Sequence, residues 1–338
     1  MPATTITKGL ENRSESTTAM VGGINDEIQL EVVERHEIAD SVALFSLKSA
    51  DGQPLPEWLP GAHIDLILTS GVVRQYSLCG DPRDRHAWKV AVKQRNGGKG
   101  GSLAVHRELS VGSSVRAGKP RNNFRLEPAS RYLFIAGGIG ITPLVPMIAA
   151  AHEAGVEWQL KYFGSSRHGM PFADELSQEY GGRVSLLAKE AGERTDITEM
   201  LTEPLDQTLV YCCGPESLLQ DVESACETWP VSAIRTERFT PRTVEPGTVD
   251  ESFEVEFSAS GVTVSVPPDK SILQCATEAG LYAPSSCGEG TCGTCETAII
   301  LGHADHRDSL LSQTERNADE VMMICVSRAK TPRLVLDL

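Results

Sequence analysis

Four cysteines in the last quarter of the chain carry its clearest chemistry. Ser286-Cys287-Gly288-Glu289-Gly290-Thr291-Cys292-Gly293-Thr294-Cys295 reads Cys-x4-Cys-x2-Cys, and Cys325 follows after a long interval. This is the spacing of a plant-type [2Fe–2S] cluster. Two irons and two sulfides need four thiolates, and three of these must come from one tightly wrapped loop. Such wrapping requires positions that can take positive φ, which Gly288, Gly290 and Gly293 supply. The backbone N–H groups there can point at sulfur and tune the potential, and Ser286, Thr291 and Thr294 add small hydroxyl donors. The competing assignment is a four-cysteine zinc site. Zinc favours two separated Cys-x2-4-Cys knuckles, whereas the second half here is a lone Cys325, so Cys287, Cys292, Cys295 and Cys325 are read as iron ligands.

A one-electron carrier needs an electron source, and 338 residues leave room for two or three domains. A hydrophobic share of 40% and a charged share of 23% are those of a soluble globular protein. No apolar run approaches the ~20 residues of a membrane span. The N-terminus lacks the basic-then-apolar order of a signal peptide, and Glu11 and Glu15 argue against a transit peptide. Residues 1–25 are polar and Ser/Thr-rich and are expected to be poorly ordered. Nine cysteines with four on the cluster leave an odd five, which points to a reducing cytoplasm without disulfides. Of these, Cys79, Cys212, Cys226 and Cys275 read as small buried hydrophobes.

The net charge of −15 argues against nucleic acid as a partner. It is unevenly spread. Residues 1–128 carry 16 Lys and Arg against 15 Asp and Glu, residues 129–250 carry 9 against 18, and residues 251–338 carry 6 against 13. Ordinary solubility accounts for much of this. The sharper reading is that an acidic cluster domain steers toward a basic face on an electron acceptor.

The elements that must position the cysteines change character along the chain. Residues 27–50 alternate apolar and polar, and shorter strands follow at His63–Leu68, Val72–Leu78 and Trp88–Lys93, before a glycine-rich turn at Gly97–Ser102. Closely spaced short strands without long helical patterns predict a small antiparallel barrel. From about residue 130, strands at Tyr132–Ala136, Trp158–Phe163, Val184–Ala188 and Thr208–Cys213 alternate with helices at Leu144–Ala154, Phe172–Tyr180 and about Glu216–Thr228. That alternation predicts a parallel α/β sheet. Residues 240–250 read as a Pro/Thr-rich linker. A hairpin over Phe253–Phe257 and Val262–Val266 and a helix over Ser271–Ala279 then lead into the cysteine loop.

Several stretches offer ligand contacts. Gly137-Gly138-Ile139-Gly140-Ile141-Thr142-Pro143 sits where a strand gives way to a helix, and Cys213-Gly214-Pro215 closes a later strand. Neither is a G-x-G-x-x-G fingerprint, and either alone reads equally as a tight turn. Two glycine turns at the carboxyl ends of strands in one sheet, however, define a crevice for a nucleotide. Arg74 and Tyr76 share one strand face, suited to gripping a phosphate and lying against a planar ring, or to an ordinary surface ladder. The glycine-rich Gly97–Ser102 segment suits a phosphate nest or a simple hairpin loop.

In this order, Arg74-Gln75-Tyr76-Ser77, Gly97–Ser102, Gly137–Pro143, Tyr211–Pro215, Glu237-Arg238-Phe239 and the cysteine set resemble the phthalate dioxygenase reductase family, within the wider ferredoxin–NADP⁺ reductase-like flavoproteins. The tail Cys325–Lys330 is similar too, and the resemblance spans about residues 27–338. It implies a ferredoxin-reductase-like antiparallel β-barrel binding FMN over 26–128, a parallel α/β NAD(P)H-binding domain over 129–239, a linker over 240–250, and a β-grasp plant-type ferredoxin domain over 251–338.

The same resemblance implies the site roles. Arg74, Tyr76 and Ser77 hold the flavin, with the Ser77 hydroxyl near N5. Gly101 and Ser102 bind the FMN phosphate, Thr142 approaches the flavin from the nucleotide side, and Phe239 lies beside the ring. Gly138, Gly140, Arg167, Cys213, Gly214 and Pro215 line the NAD(P)H site, with Cys213 near the nicotinamide; Ser77 and Cys213 are the catalytic candidates. Cys287 and Cys292 bind one iron, Cys295 and Cys325 the other. Several NADH-preferring relatives place an acidic residue after the arginine matching Arg167. This chain has Ser165-Ser166-Arg167-His168, so NADH is expected with NADPH kept open.

The implied activity is NAD(P)H-dependent electron transfer through FMN and the cluster to a terminal oxygenase. That oxygenase is a Rieske-type aromatic oxygenase or demethylase, or a bacterial cytochrome P450. No nucleic acid, no membrane and a monomer are expected. A redox sensor or a zinc-stabilised interaction module would leave the flavin and nucleotide motifs without purpose. His63, His106 and His303 read as structural histidines.

Overall fold

The computed structural model describes residues 27–95, 100–191, 197–201, 203–204, 207–242 and 250–338. The expected N-terminal tail, residues 97–99 of the glycine-rich turn, and most of the 240–250 linker lie outside them.

The first unit contains β1 (Ile28–Ala39), β2 (Val42–Ser49), β3 (His63–Ile67), β4 (Val73–Ser77), β5 (Trp88–Lys93), helix α1 (Gly101–Glu108) and β6 (Ser114–Ala117). Its antiparallel sheet runs β4-β3-β6-β1-β2-β5. The two edges join beyond β4, where Leu78 bridges Val90 and the Cys79 N–H donates to the Lys89 carbonyl at 2.9 Å. This closure makes the expected barrel and removes its open edges. Alternating apolar residues such as Leu30, Val32, Phe45, Leu47, Ile64 and Leu66 fill it. Helix α1 departs from the strands-only expectation: it begins at Gly101, directly after Gly100, whose φ of 73° lies in the left-handed region.

The second unit contains β7 (Arg131–Gly137), α2 (Leu144–Glu153), β8 (Glu157–Gly164), α3 (Ala173–Tyr180), β9 (Val184–Ala188), α4 (Ile197–Met200), β10 (Thr208–Cys213), α5 (Glu216–Ala225) and β11 (Ile234–Glu237). The sheet is parallel, in the order β11-β10-β7-β8-β9. The apolar run on β7 is explained by its place: it is the central strand, with both faces covered. The chain leaves β7 toward β8 and later returns on its other side as β10. That reversal opens a crevice at the carboxyl ends of β7 and β10. The short α4 and β11 have little periodicity and were not legible in the sequence.

The third unit contains β12 (Phe253–Phe257), β13 (Val262–Val266), α6 (Ile272–Glu278), β14 (Glu296–Leu301), β15 (Ala304–Asp305), α7 (Gln313–Ala318), β16 (Val321–Met323), β17 (Arg328–Ala329) and β18 (Arg333–Leu336). The hairpin β12–β13 pairs as expected, and the sheet order is β13-β12-β18-β14-β16, with β18 parallel to β12. Ser271 and Ser312 open α6 and α7 with capping boxes that close on Gln274 and Glu315. Among the described residues no helix is long and apolar enough to cross a membrane.

One contact shows how closely barrel and α/β unit are packed. Gly61 has φ +91°, and a Cβ added there would overlap the Phe124 carbonyl oxygen and stand 2.8 Å from Met147 Cε. Gly61→Ala therefore combines backbone strain with a clash and is expected to destabilise the protein by about 3 kcal/mol. Thermal unfolding measures this directly, and an unchanged midpoint would contradict it.

Candidate functional site

All three units meet at one cavity of about 400 Å³. The barrel contributes Arg74, Gln75, Tyr76 and Ser77 from β4, with Gly101 and Ser102 from the start of α1. The α/β unit contributes Ile139 and Thr142 from the first glycine turn, and Glu237 to Pro241 from the end of β11. The cluster loop contributes Cys287, Glu289 and Thr291.

Local structure explains each placement. A Cβ at Gly101 would overlap the Arg74 side chain, so the glycine lets Arg74 lie along the helix start. The Ser102 hydroxyl accepts the Arg95 N–H at 3.1 Å. Burial pushes the Tyr76 phenol up to about 12, so it stays protonated. The Thr142 hydroxyl donates back to the Ile139 carbonyl at 3.0 Å, tightening the turn.

Three buried polar atoms around this cavity have no protein partner: His63 Nε2, Gln75 Nε2 and Glu237 Oε2. Buried polar groups are nearly always satisfied, so three atoms unpartnered among the described residues around one cavity suit a ligand with polar edges. A flavin fits this donor set.

A larger cleft opens beside the cavity. It is lined by Gly137, Gly138 and Gly140 of the first turn, by Phe163 to Ser166 after β8, and by Gly214 and Pro215 at the start of α5. Ile139 and Phe239 border both spaces, and Phe239, 39% exposed, stands between them. The two glycine turns also pack on each other. A Cβ at Gly140 would overlap the Cys213 carbonyl, and one at Gly214 would stand 3.0 Å from the Gly137 backbone. These glycines thus permit close backbone packing as well as an open crevice.

Two expected nucleotide residues are placed differently from the rest. The Cys213 side chain is fully buried in the floor beneath the turns, and burial raises its thiol well above the usual range. Arg167 does not line the cleft: its guanidinium is held by Asp174 at 2.6 Å, and its backbone N–H donates to Glu190 at 2.6 Å. Acidic groups therefore do flank Arg167, supplied by the fold rather than by the next residue in sequence.

Glu237 is the residue that sequence reasoning undervalued. Burial pushes its carboxyl up to about 8. Its neighbour Arg238, whose side chain is 3% exposed, is gripped by Glu223 at 2.6 Å and Glu216 at 3.2 Å on α5. That clamp fixes the chain so that Glu237 and Phe239 both reach the cavity. The Glu237-Arg238-Phe239 motif was visible in the sequence, but the division of labour within it was not.

The cysteine loop meets its requirements. Gly288, Gly290 and Gly293 take φ of 64°, 69° and 77°. The Glu289 N–H donates to Cys287 Sγ at 3.2 Å and the Thr294 N–H to Cys292 Sγ at 3.4 Å, with the Thr294 hydroxyl 3.2 Å from the same sulfur. All nine cysteines are free. The sheet recruits the fourth ligand: Cys295 precedes β14, Cys325 follows β16, and Glu296 pairs with Met323 in register. Among the described residues no three His, Cys, Asp or Glu side chains gather around a single-ion position. The four thiols lie close enough to perturb one another, Cys292 and Cys325 acting on Cys287 and Cys325 acting on Cys295. Three thiols from one loop and a single distant fourth suit a two-iron cluster better than the paired knuckles of a zinc site. The Ser286 hydroxyl departs from expectation: it turns away from sulfur to Asp65.

The 2Fe-2S iron-sulfur cluster binding domain family matches residues 255–330. The phthalate dioxygenase reductase of Burkholderia cepacia is 34% identical over 316 residues, covering 92% of this chain and 97% of that protein. The chain belongs to the phthalate dioxygenase reductase family. It is an oxidoreductase with a ferredoxin-reductase-like fold and a C-terminal [2Fe–2S] domain. The phenoxybenzoate dioxygenase subunit beta of Ectopseudomonas oleovorans is 39% identical over 302 residues, 89% of this chain and 94% of that one. Among solved structures, an intact type IV self-sufficient cytochrome P450 monooxygenase is 41% identical with a TM-score of 0.86, over 92% of this chain but only 41% of that one.

The raised Glu237 carboxyl predicts a pH dependence. Its folded-state value lies above the ordinary 4.5, so the proton is kept through pH 7 and lost above about 8. A ring bound against it removes more water and favours the neutral acid. FMN affinity of the cofactor-free protein should weaken as pH rises from 7 past 8, a range in which the FMN phosphate stays dianionic. Glu237→Gln should flatten that profile, as read by flavin fluorescence titration.

Proposed function

We propose that this chain is the reductase component of a multicomponent oxygenase, carrying electrons from NADH through FMN and a [2Fe–2S] cluster to a Rieske-type aromatic oxygenase or demethylase. The observation that carries this reading is the single cavity walled by the flavin-type barrel strand, the first glycine turn of the α/β unit and the cluster loop. Residues 26–128 form the flavin domain, 129–239 the nucleotide domain and 251–338 the cluster domain, joined by the 240–250 linker.

FMN would supply the conversion of the two electrons of one hydride into two single-electron transfers, and the cluster a one-electron relay. The residues do the positioning. Arg74 and the N–H groups of Gly101 and Ser102 would hold the phosphate, Tyr76 would lie against the ring, and the Ser77 hydroxyl would approach N5. Thr142 bounds the nucleotide side. Gly138, Gly140, Gly214 and Pro215 leave the crevice open for the dinucleotide, with Cys213 in its floor below the nicotinamide. Phe239 stands where the nicotinamide must enter, so it covers the ring in the absence of nucleotide. Neutral Glu237 closes the cavity without placing a charge on it.

Specificity for NADH follows from Asp174 and Glu190. Asp174 holds one edge of the Arg167 guanidinium and Glu190 accepts its backbone N–H, so two carboxylates beside Arg167 would disfavour the added charge of a 2′-phosphate. Cys287 and Cys292 hold one iron, Cys295 and Cys325 the other. Nine free cysteines suit a reducing cytoplasm, and the protein acts as a monomer beside its oxygenase. Delivery to a cytochrome P450 is the second reading, favoured by the similarity to the self-sufficient P450 protein.

Two experiments test the assignment. Cys325→Ser should spare NADH oxidation by ferricyanide, which can draw on the flavin, and abolish cytochrome c reduction; loss of both would contradict a relay role. The purified protein should also show flavin absorbance with a red-brown shoulder, both bleached anaerobically by NADH at least tenfold faster than by NADPH. A colourless protein would sink the reading, and faster NADPH would overturn the roles of Asp174 and Glu190.

A further inference from the structure

The cluster loop touches the barrel through three hydrogen bonds that lie beside its ligands. The Ser286 hydroxyl, next to Cys287, donates to Asp65 Oδ2 at 2.9 Å. The Thr291 hydroxyl, next to Cys292, reaches Gln75 Oε1 at 3.3 Å. Asn123 Nδ2 donates to the Cys292 carbonyl at 3.1 Å. All three grip the half of the loop that carries Cys287 and Cys292.

The partner of Ser286 is unusual. Asp65 lies on β3 with no solvent exposure, and both its oxygens stand 2.9 Å from Arg121 Nη2. Arg121 is itself pinned to β3. His63 N–H donates to its carbonyl at 2.8 Å, and its N–H donates to the His63 carbonyl at 3.0 Å. A buried ion pair adds little net stability compared with apolar packing, but it fixes geometry where several segments meet. Neither Asp65 nor Arg121 lines the flavin cavity. The pair stands beside the cavity, offering the loop a charged acceptor at a fixed place.

We propose that the Asp65–Arg121 pair is a positioning latch: through Ser286, with Asn123 and Gln75 in support, it holds the cluster loop on the barrel and sets the rate of electron transfer from flavin to cluster. This rests on the electron path of the preceding section. A hydrogen bond to a charged group is stronger than one between neutral groups, so Ser286 is the dominant contact.

The test uses the full-length protein with both cofactors. Ser286→Ala should leave the rate of flavin reduction by NADH within twofold of wild type and slow cluster reduction about tenfold, followed by anaerobic stopped-flow absorbance. Amides of residues 284–294 should exchange with deuterium faster in the variant, while iron and sulfide content stay the same. Ser286→Thr should restore both readouts. Equal cluster reduction and equal exchange in Ser286→Ala would overturn the latch. Loss of iron from Ser286→Ala would also overturn it, by showing that Ser286 builds the loop rather than docks it. Absence of any reduction by NADH in the wild type would instead defeat the proposed function. The exchange comparison would still decide the latch.

Discussion

A two-electron donor and a one-electron relay must both reach the same planar ring, and that geometric constraint organises the molecule. The ring has two faces and an edge. The barrel strand β4 presents Arg74, Tyr76 and Ser77, the α/β unit brings its first glycine turn and the Glu237–Pro241 segment, and the cluster loop brings Cys287 and Thr291. No unit contains the site alone. Each unit has a separate hydrophobic cluster of its own, so the cavity is a junction between stable bodies rather than a hollow inside one.

Polar and backbone contacts hold the junction beside a small apolar patch, where Ile139 and Phe172 pack on Val42, Cys79 and Ala91. Gly61 lets the barrel approach Phe124, and Gly140 lets β7 approach the end of β10. Tyr211 on β10 accepts the Glu127 N–H and donates to the Arg125 carbonyl, both near 2.8 Å, tying the connection out of the barrel onto the α/β sheet. Downstream, the Arg242 N–H donates to Ser309 and the Ser309 hydroxyl reaches the Thr240 carbonyl, so the linker starts out attached to the cluster unit. At its other end, Arg307 grips Asp250. Glu237 is neutral at pH 7, and burial with the nearby Arg121 charge holds the His63 imidazole down to about 4, hence uncharged. The histidines read as structural divide accordingly. His106 bonds the Val92 carbonyl and His303 bonds Asp319, while His63 faces the cavity.

The sequence by itself determined the cluster and the outline of the fold. Cysteine spacing is local chemistry: three ligands and three left-handed glycines sit within one short loop, so Cys287, Cys292 and Cys295 could be read without a structure. Strand and helix periodicity revealed the barrel and the parallel sheet, because those patterns arise from burial within single elements. The third sheet was only partly legible, since β15 and β17 are two residues each and owe their form to their neighbours. Tertiary structure decided what depends on distant residues. It carried Cys325 to Cys295 through the β14–β16 register. It tied Arg167 to Asp174 and Glu190, so that the acidic groups missing at His168 come from elsewhere. It turned Ser286 to Asp65, 221 positions away. And it drew the Glu237 carboxyl into the cavity wall, where partial burial raises its proton affinity. None of these follows from local sequence, because each is a matter of which surfaces the packed units bring together.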